Sequence, residues 1–338
     1  MPTAATPSRG ALALTASELA GLGLGFMPPG LVGDEWARRL RELPCPGPCL
    51  TYGAFECRLD DDPRVDFLAC APKDDAGDRL TAPHVKASAQ PALSAFEVLA
   101  AWAQPGPLNT AASTVWLEYD VPREGSGANA QPFAFVRLEP VPWGVRPTVT
   151  PLEVALDVLV RIHRLPAPAM EALRRCEAAL PLLGQMCHVA VLPHRQVREV
   201  RVHLGLPHHD LSRYLAAIAW PGDMAQVRDW LPPWQVGLDV AGFQLDVGEL
   251  VAPNLGMEFY LPTSPGKDGR WAPLFERLAS SGLGTRDKLE AIARWPGTDL
   301  DPARGCRVER TLLVKVALDR QGTPAAKAYL AFTPRAGR

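Results

Sequence analysis

Lysine is scarce in this chain, with six residues against 29 arginines in 338 positions. Long apolar runs are missing too. None approaches the roughly 20 residues needed to cross a bilayer, so no membrane partner is expected. Neither sign of charge prevails: 35 basic and 37 acidic side chains leave a net charge of -2. That gives no field for steering onto nucleic acid or an anionic surface. Met1 to Gly10 has no charged segment followed by an apolar one, so no secretory signal is expected. The seven cysteines (45, 49, 57, 70, 176, 187 and 306) form an odd, scattered set. They read as reduced thiols of a cytoplasmic protein rather than a disulfide framework. Gly21 to Gly25 has neither the Lys-Ser/Thr nor the preceding strand of a phosphate loop. No nucleophile elbow, kinase signature or dinucleotide fingerprint occurs.

The sequence does contain a repeated unit. Residues 1–44 read as an N-terminal extension, loosely packed, with a weak helical patch at Ala16 to Leu22 and a short helix at Glu35 to Leu43. Residues 45–334 read as one domain and 335–338 as a tail. Within the domain, paired strand patterns fall at Leu50 to Leu59 with Arg64 to Ala71, Thr114 to Val121 with Phe133 to Leu138, and His188 to Leu192 with Glu199 to Leu206. A fourth pair lies within Trp234 to Leu261, and the fifth is Arg307 to Leu318 with Ala325 to Phe332. Helical patterns separate them: Ser94 to Ala103, Pro151 to Leu180 broken near Pro166 and Pro168, Asp210 to Ala219 with Asp210 as cap, Trp271 to Ser281 and Arg286 to Arg294. Two helices end in nearly the same tag, Ile218-Ala-Trp-Pro-Gly-Asp and Ile292-Ala-Arg-Trp-Pro-Gly-Thr, which supports internal duplication. Five hairpins give about ten antiparallel strands. An open sheet of that size would leave long edges, so closure is expected. The predicted fold is α+β: a closed ten-stranded antiparallel barrel with a polar lumen, surrounded by helices.

Side chains alternate across a strand, so parity predicts what fills that lumen. On the last hairpin Lys315, Lys327 and Tyr329 share a face, and Val314, Val316, Ala328, Leu330 and Phe332 take the other. Lys315 falls opposite Lys327 or Tyr329; facing like charges are destabilising, which suggests an anion between them. Trp116, Glu118 and Asp120 oppose Leu117 and Tyr119. Arg201 and His203 oppose Val200, Val202 and Leu204, with His188 set on the same polar face. Glu258 and Tyr260 oppose Phe259 and Leu261, and Asp246 is expected across from Glu258. Acids, bases and aromatics thus recur on one face of several hairpins, the composition of a ligand site rather than of a solvated sheet. Cys45-Pro-Gly-Pro-Cys49, Asp60-Asp61-Asp62 with Asp66, and His208-His209 read as turn and loop residues rather than metal ligands.

Five helix-hairpin units with lumen-facing Lys and Tyr and one early Glu resemble the ABBA-fold, or prenyltransferase-barrel, enzymes. The residues that carry the resemblance are Glu118 in Trp-Leu-Glu-Tyr-Asp, Arg201 in Val-Arg-Val-His, Lys315, and Lys327-Ala-Tyr329. The resemblance implies transfer of an isoprenyl group from an allylic diphosphate to an aromatic small molecule or a peptide side chain. It implies that Arg201, Lys315, Lys327 and Tyr329 hold the diphosphate, that Glu118 orients the acceptor as the catalytic carboxylate, and that Trp116 and Tyr260 line the path of the allyl cation. His188, His203, Asp246 and Glu258 would complete the lumen. No cofactor is required by this reading, although the lumen acids would suit Mg. Those acids also leave an alternative: a non-catalytic barrel that binds a small molecule or peptide as an accessory to natural-product or peptide modification. On the transferase reading, Lys315→Ala and Lys327→Ala should weaken diphosphate binding with little loss of stability.

Overall fold

The structure is a computed structural model and describes residues 12–44, 50–72, 93–141, 148–192, 199–230, 240–260, 269 and 271–336. Cys45 and Cys49 lie outside them. Five units repeat, each a pair of helices followed by a hairpin. The helix pairs are α1 (Ala16–Leu24) and α2 (Asp34–Leu40), α3 (Leu93–Ala103) and α4 (Pro107–Ala111), α5 (Pro151–His163) and α6 (Ala167–Ala178), α7 (Leu211–Ala217) and α8 (Met224–Trp230), and α9 (Trp271–Ser280) and α10 (Arg286–Ala293). The hairpins are β1 (Tyr52–Arg58) with β2 (Val65–Pro72), β3 (Ala112–Asp120) with β4 (Gln131–Leu138), β5 (Gln185–Val191) with β6 (Val200–Gly205), β7 (Val240–Val247) with β8 (Leu255–Tyr260), and β10 (Cys306–Leu318) with β11 (Pro324–Ala336). β9 (Gly297–Asp301) pairs only along the start of β10.

Each strand pairs with its neighbours in chain order, and β11 returns to β1, with Glu56 opposite Tyr329 and Arg58 opposite Lys327. The ten-stranded antiparallel ring is therefore closed, as the count of hairpins predicted. Eight strands are just filled by their own inward side chains, so ten leave room inside.

Local sequence sets the helix boundaries. Thr15 and Thr150 each open a helix with a capping box, through Glu18 and Glu153 three residues on. α5 stops at Arg164, which is left-handed (φ 54°), just before Pro166. Asp210 does precede α7, but its side chain caps no backbone N–H. A short 3-10 turn, His208–Asp210, holds it in a helical conformation, and its carboxylate accepts from Arg213 at 2.9 Å instead.

The core lies outside the ring, between strands and helices. Phe55 stacks on Phe332 at 5.6 Å and meets Phe67 at 5.3 Å, and Trp295 closes the group edge-on. Trp295 also donates from Nε1 to the carbonyls of Thr311 and Ala331, so the second Trp-Pro-Gly tag is a buried anchor between α10 and the barrel. The expectation of a loosely packed start is corrected for α1. Ala16, Leu19 and Ala20 are fully buried, and Gly23 lies so close to Phe332 and Phe55 that a Cβ there would sit 2.5 Å from a ring carbon. Its two glycines, Gly21 and Gly23, weaken the helical pattern in the sequence, but the missing side chain of Gly23 is what allows the close approach. Among the described residues no helix is long and apolar enough to cross a membrane.

Candidate functional site

The lumen holds a cavity of about 470 Å³ lined from β1 to β11. Parity places Glu118, Arg201, His188, His203, Asp246, Glu258, Lys315, Lys327, Tyr329 and Trp116 on it, so the structure brings together ten of the twelve residues assigned to the lumen above; Asp120 does not line the cavity. Tyr260 pairs through its backbone with Leu313, and its side chain lies outside the described residues. Glu118 is buried at the level of Leu68 and Phe133 on its neighbouring strands.

One wall is ionic. Lys315 and Lys327 do stand opposite each other across β10 and β11. The anion between them, however, is the protein's own. Lys327 Nζ donates to Glu56 Oε1 at 2.7 Å, and Arg58 reaches the same oxygen at 2.7 Å and Asp66 at 2.8 Å. Lys315 Nζ lies 3.5 Å from Glu258 Oε1, donates to Gln244 Oε1, and sits 5.8 Å from the centroid of the Tyr329 ring. Gly256 makes this possible, since a Cβ there would meet Lys315 Cε at 2.7 Å. Arg201 clamps Asp246 through two bonds of 2.8 and 2.9 Å, and Asn254 adds a third donor at 3.0 Å. Asp246 is therefore not across from Glu258. It faces Arg201, and Glu258 faces Lys315, because an acid opposite an acid would be repulsive.

Burial sets the protonation states of this wall. It works to raise the Glu258 carboxyl, but His203 and Lys315 overcome it and hold the group down at about 2. Asp246 behaves alike: burial raises it, and the Arg201 bonds bring it below the ordinary value. Glu56, buried among Lys327, Arg58 and Lys315, sits well below the usual carboxylate range despite its desolvation. Burial pulls the Lys315 ammonium down and Glu258 only partly restores it. Both imidazoles are lowered, first by burial, His188 the further. Tyr329 is pushed well up by burial and by Glu56, so its phenol stays protonated.

The strands β3 to β5 add apolar and aromatic groups beside Glu118, Arg137 and His188. Phe133, Phe135, Ala190 and Leu192 form a small buried cluster, separate from the outer core, with Trp116 packed against it. Tyr52 meets Trp116 edge-on at 4.9 Å, and Phe135 meets His203 at 5.3 Å. The apolar cluster was not anticipated beyond Trp116. Phe133 to Val136 is apolar on both faces, so parity alone does not say which side is inside. Glu56, Arg137 and Gln244 were missed too, although Glu56 alternates with Phe55 and Cys57 and the same rule would have found it. Six carboxylates and six lysines or arginines line the cavity, beside two histidines, so its formal charge with neutral imidazoles is balanced rather than cationic. Among the described residues no group of three or more His, Cys, Asp or Glu is arranged to hold a metal ion. Asp60 and Asp62 lie in the β1–β2 turn, where their carbonyls accept from Lys288.

AnaPT from Neosartorya fischeri superposes on this chain with a TM-score of 0.51 and 11% sequence identity, over 86% of this chain and 79% of that one. The fold is that of the prenyltransferase barrel. A 6-dimethylallyltryptophan synthase from Micromonospora olivasterospora, solved with DMASPP and Trp, matches this barrel at a TM-score of 0.46 and 15% identity, over 91% of this chain and 84% of that one. The 5-dimethylallyltryptophan synthase of Streptomyces coelicolor matches at 0.38 and 13%, over 94% and 97%. No family model and no curated protein matches the sequence.

Proposed function

We propose that this prenyltransferase barrel transfers an isoprenyl group from an allylic diphosphate to an aromatic small molecule or a peptide side chain. The observation that carries the reading is one cavity lined by both ionic and aromatic groups. Arg201, Lys315, Lys327 and Tyr329 share the lining of one space, large enough for a small ligand, with Trp116 and Phe135, which belong to or pack against the apolar cluster. A diphosphate leaving group gains negative charge, which fixed donors stabilise in a cavity of restricted solvent access. The allylic fragment left behind is cationic, and aromatic faces stabilise it. Glu118 would accept the N–H or O–H of the acceptor and orient it. The five described cysteines, all buried thiols without disulfides, support a cytoplasmic setting.

One observation favours a second reading. Arg201, Lys315 and Lys327 each already hold a carboxylate, so a diphosphate must share its cations with Asp246, Glu258 and Glu56. A balanced lumen suits a neutral or zwitterionic small molecule or peptide, bound without transfer. Dimethylallyl and geranyl thiolodiphosphates separate the two readings in a thermal melt, run with and without Mg. A ligand at 100 times its Kd stabilises the native state by about 2.7 kcal/mol, and a rise of a few degrees is expected. No rise with any allylic diphosphate retires the transferase.

A further inference from the structure

His188 and His203 stand directly opposite each other on β5 and β6, their rings edge to face with centroids 5.4 Å apart. Glu258 reaches His203 from β8, and the β7 residue opposite Glu258 is Gly242, which brings no side chain between them. His203 Nδ1 lies 3.4 Å from Glu258 Oε1. A carboxylate only accepts, so the hydrogen sits on Nδ1 and Nε2 keeps a bare lone pair. That Nε2 is buried and has no hydrogen-bond partner; neither has His188 Nδ1. Two orphaned ring nitrogens on touching rings are costly apart; they do not bond each other in this structure, and a turn of the rings that lets His188 Nδ1–H donate to His203 Nε2 satisfies both. Such a tautomer leaves the lone pair of His188 on Nε2, and His188 lines the cavity.

We propose that His188, backed by His203 and Glu258, is the proton acceptor of the lumen, a role that the sequence assigned to none of the three. The inference rests on the transfer reading above and adds its last step. The allylic C–O bond breaks and its electron pair leaves with diphosphate; a ring carbon of the acceptor forms the new C–C bond. The C–H bond at that carbon then returns its pair to the ring, and its proton passes to His188 Nε2. With the two rings so turned, the chain of donors back to Glu258 places a carboxylate behind the new positive charge.

The charges facing the pair are Glu258, Lys315, Arg201 and Arg137; burial first, and then the three cations, push both imidazoles down, so both rings are neutral near pH 7 and keep a lone pair that can take a proton. Glu258 stays ionised throughout, tied to Lys315 on its other side. His188 would touch the reacting atoms and is the catalytic residue of this proposal. His203 and Glu258 position it.

Two measurements on the full chain test this. Nitrogen-15 NMR of histidine-labelled protein, without ligand, should show both rings neutral at pH 7 and His203 protonated on Nδ1. Glu258→Leu, which offers no acceptor to Nδ1, should abolish that bias. A hydrogen on His203 Nε2, or a charged ring at pH 7, overturns the proposal. Turnover of dimethylallyl diphosphate with an indole deuterated at the attacked carbon supplies the second readout. His188→Gln should lower kcat about 100-fold, leave KM for the diphosphate nearly unchanged, and expose a primary isotope effect that the parent enzyme masks. If His188→Gln keeps its rate, or Glu118→Gln shows the isotope effect instead, the assignment is wrong. Absence of any turnover by the parent protein refutes the transfer reading, and the tautomers then decide the relay alone.

Discussion

At the scale of single residues, burial changes what the lumen lysines are expected to do. Lys315 is 5% exposed and Glu258 7%. Removing one partner of such a pair strands the other charge, which costs about 3–5 kcal/mol, whereas replacing both is often near neutral. Lys315→Ala should therefore destabilise the barrel by about 3 kcal/mol in urea melts, and Lys315→Met combined with Glu258→Gln should recover most of it. Lys327 differs, because its side chain is 23% exposed and its partner Glu56 keeps Arg58 when the lysine goes. Lys327→Ala should cost about 1 kcal/mol. Equal losses at the two positions would show that the pairing with Glu258 is not what sets the difference. The sequence expectation of little stability loss is thus kept as a prediction for Lys327 and replaced by a larger expected loss for Lys315. Parity could place both inside, but it could not show that a carboxylate on a different hairpin waits for each.

At the scale of elements, much of the hairpin plan was legible, since apolar and polar residues alternate and each pair is bounded by turn residues. Asp319 and Gly322 illustrate this: Asp319 Oδ1 accepts from the N–H groups of Gln321 and Thr323 at 2.8 Å, and Gly322 takes φ 78°. What stayed hidden was short or exposed. α4 spans five residues, α8 seven, and β9 is exposed along four of its five positions, so none carries a period long enough to read. The order of hairpins around the ring was legible from chain order, but the register between hairpins was not. Arg201 meets Asp246 and Lys315 meets Glu258 only through that register. Lys288 is another inter-element contact no local pattern announces. It leaves α10 to donate to the carbonyls of Arg58 at 2.9 Å and Asp62 at 2.8 Å, pinning the β1–β2 turn. Lys288→Met should leave those carbonyls short of a donor and cost about 1–2 kcal/mol. Hydrogen exchange should then quicken in residues 58–66 and not in β5 or β6. Uniform quickening would mean that Lys288 supports the whole fold rather than the turn.

At the scale of the whole molecule, the charges enclosed by the ring make stability depend on pH with a definite sign. His188 and His203 titrate near 6.5 when unfolded and lower when folded, so their contribution is complete above that value and is lost as pH falls below it. Glu258, near 4.5 unfolded and about 2 folded, contributes above 4.5 and is lost between there and 2. Glu56 and Asp246 act in the same direction over the carboxylate range. Asp66 opposes them: burial and the charge of Glu56 raise it, so it disfavours folding most where it is ionised and relaxes as pH falls. The acids and imidazoles that lose stability outnumber it, and the barrel should soften steadily from pH 7 to pH 4. Urea midpoints across that range should fall, with the upper part of the slope, between pH 6.5 and 5, removed by replacing both His188 and His203 with Gln. A midpoint that stays level to pH 4 would mean that the lumen admits water freely enough to screen these groups. The cavity would then lose the partial dryness on which stabilisation of a leaving diphosphate depends.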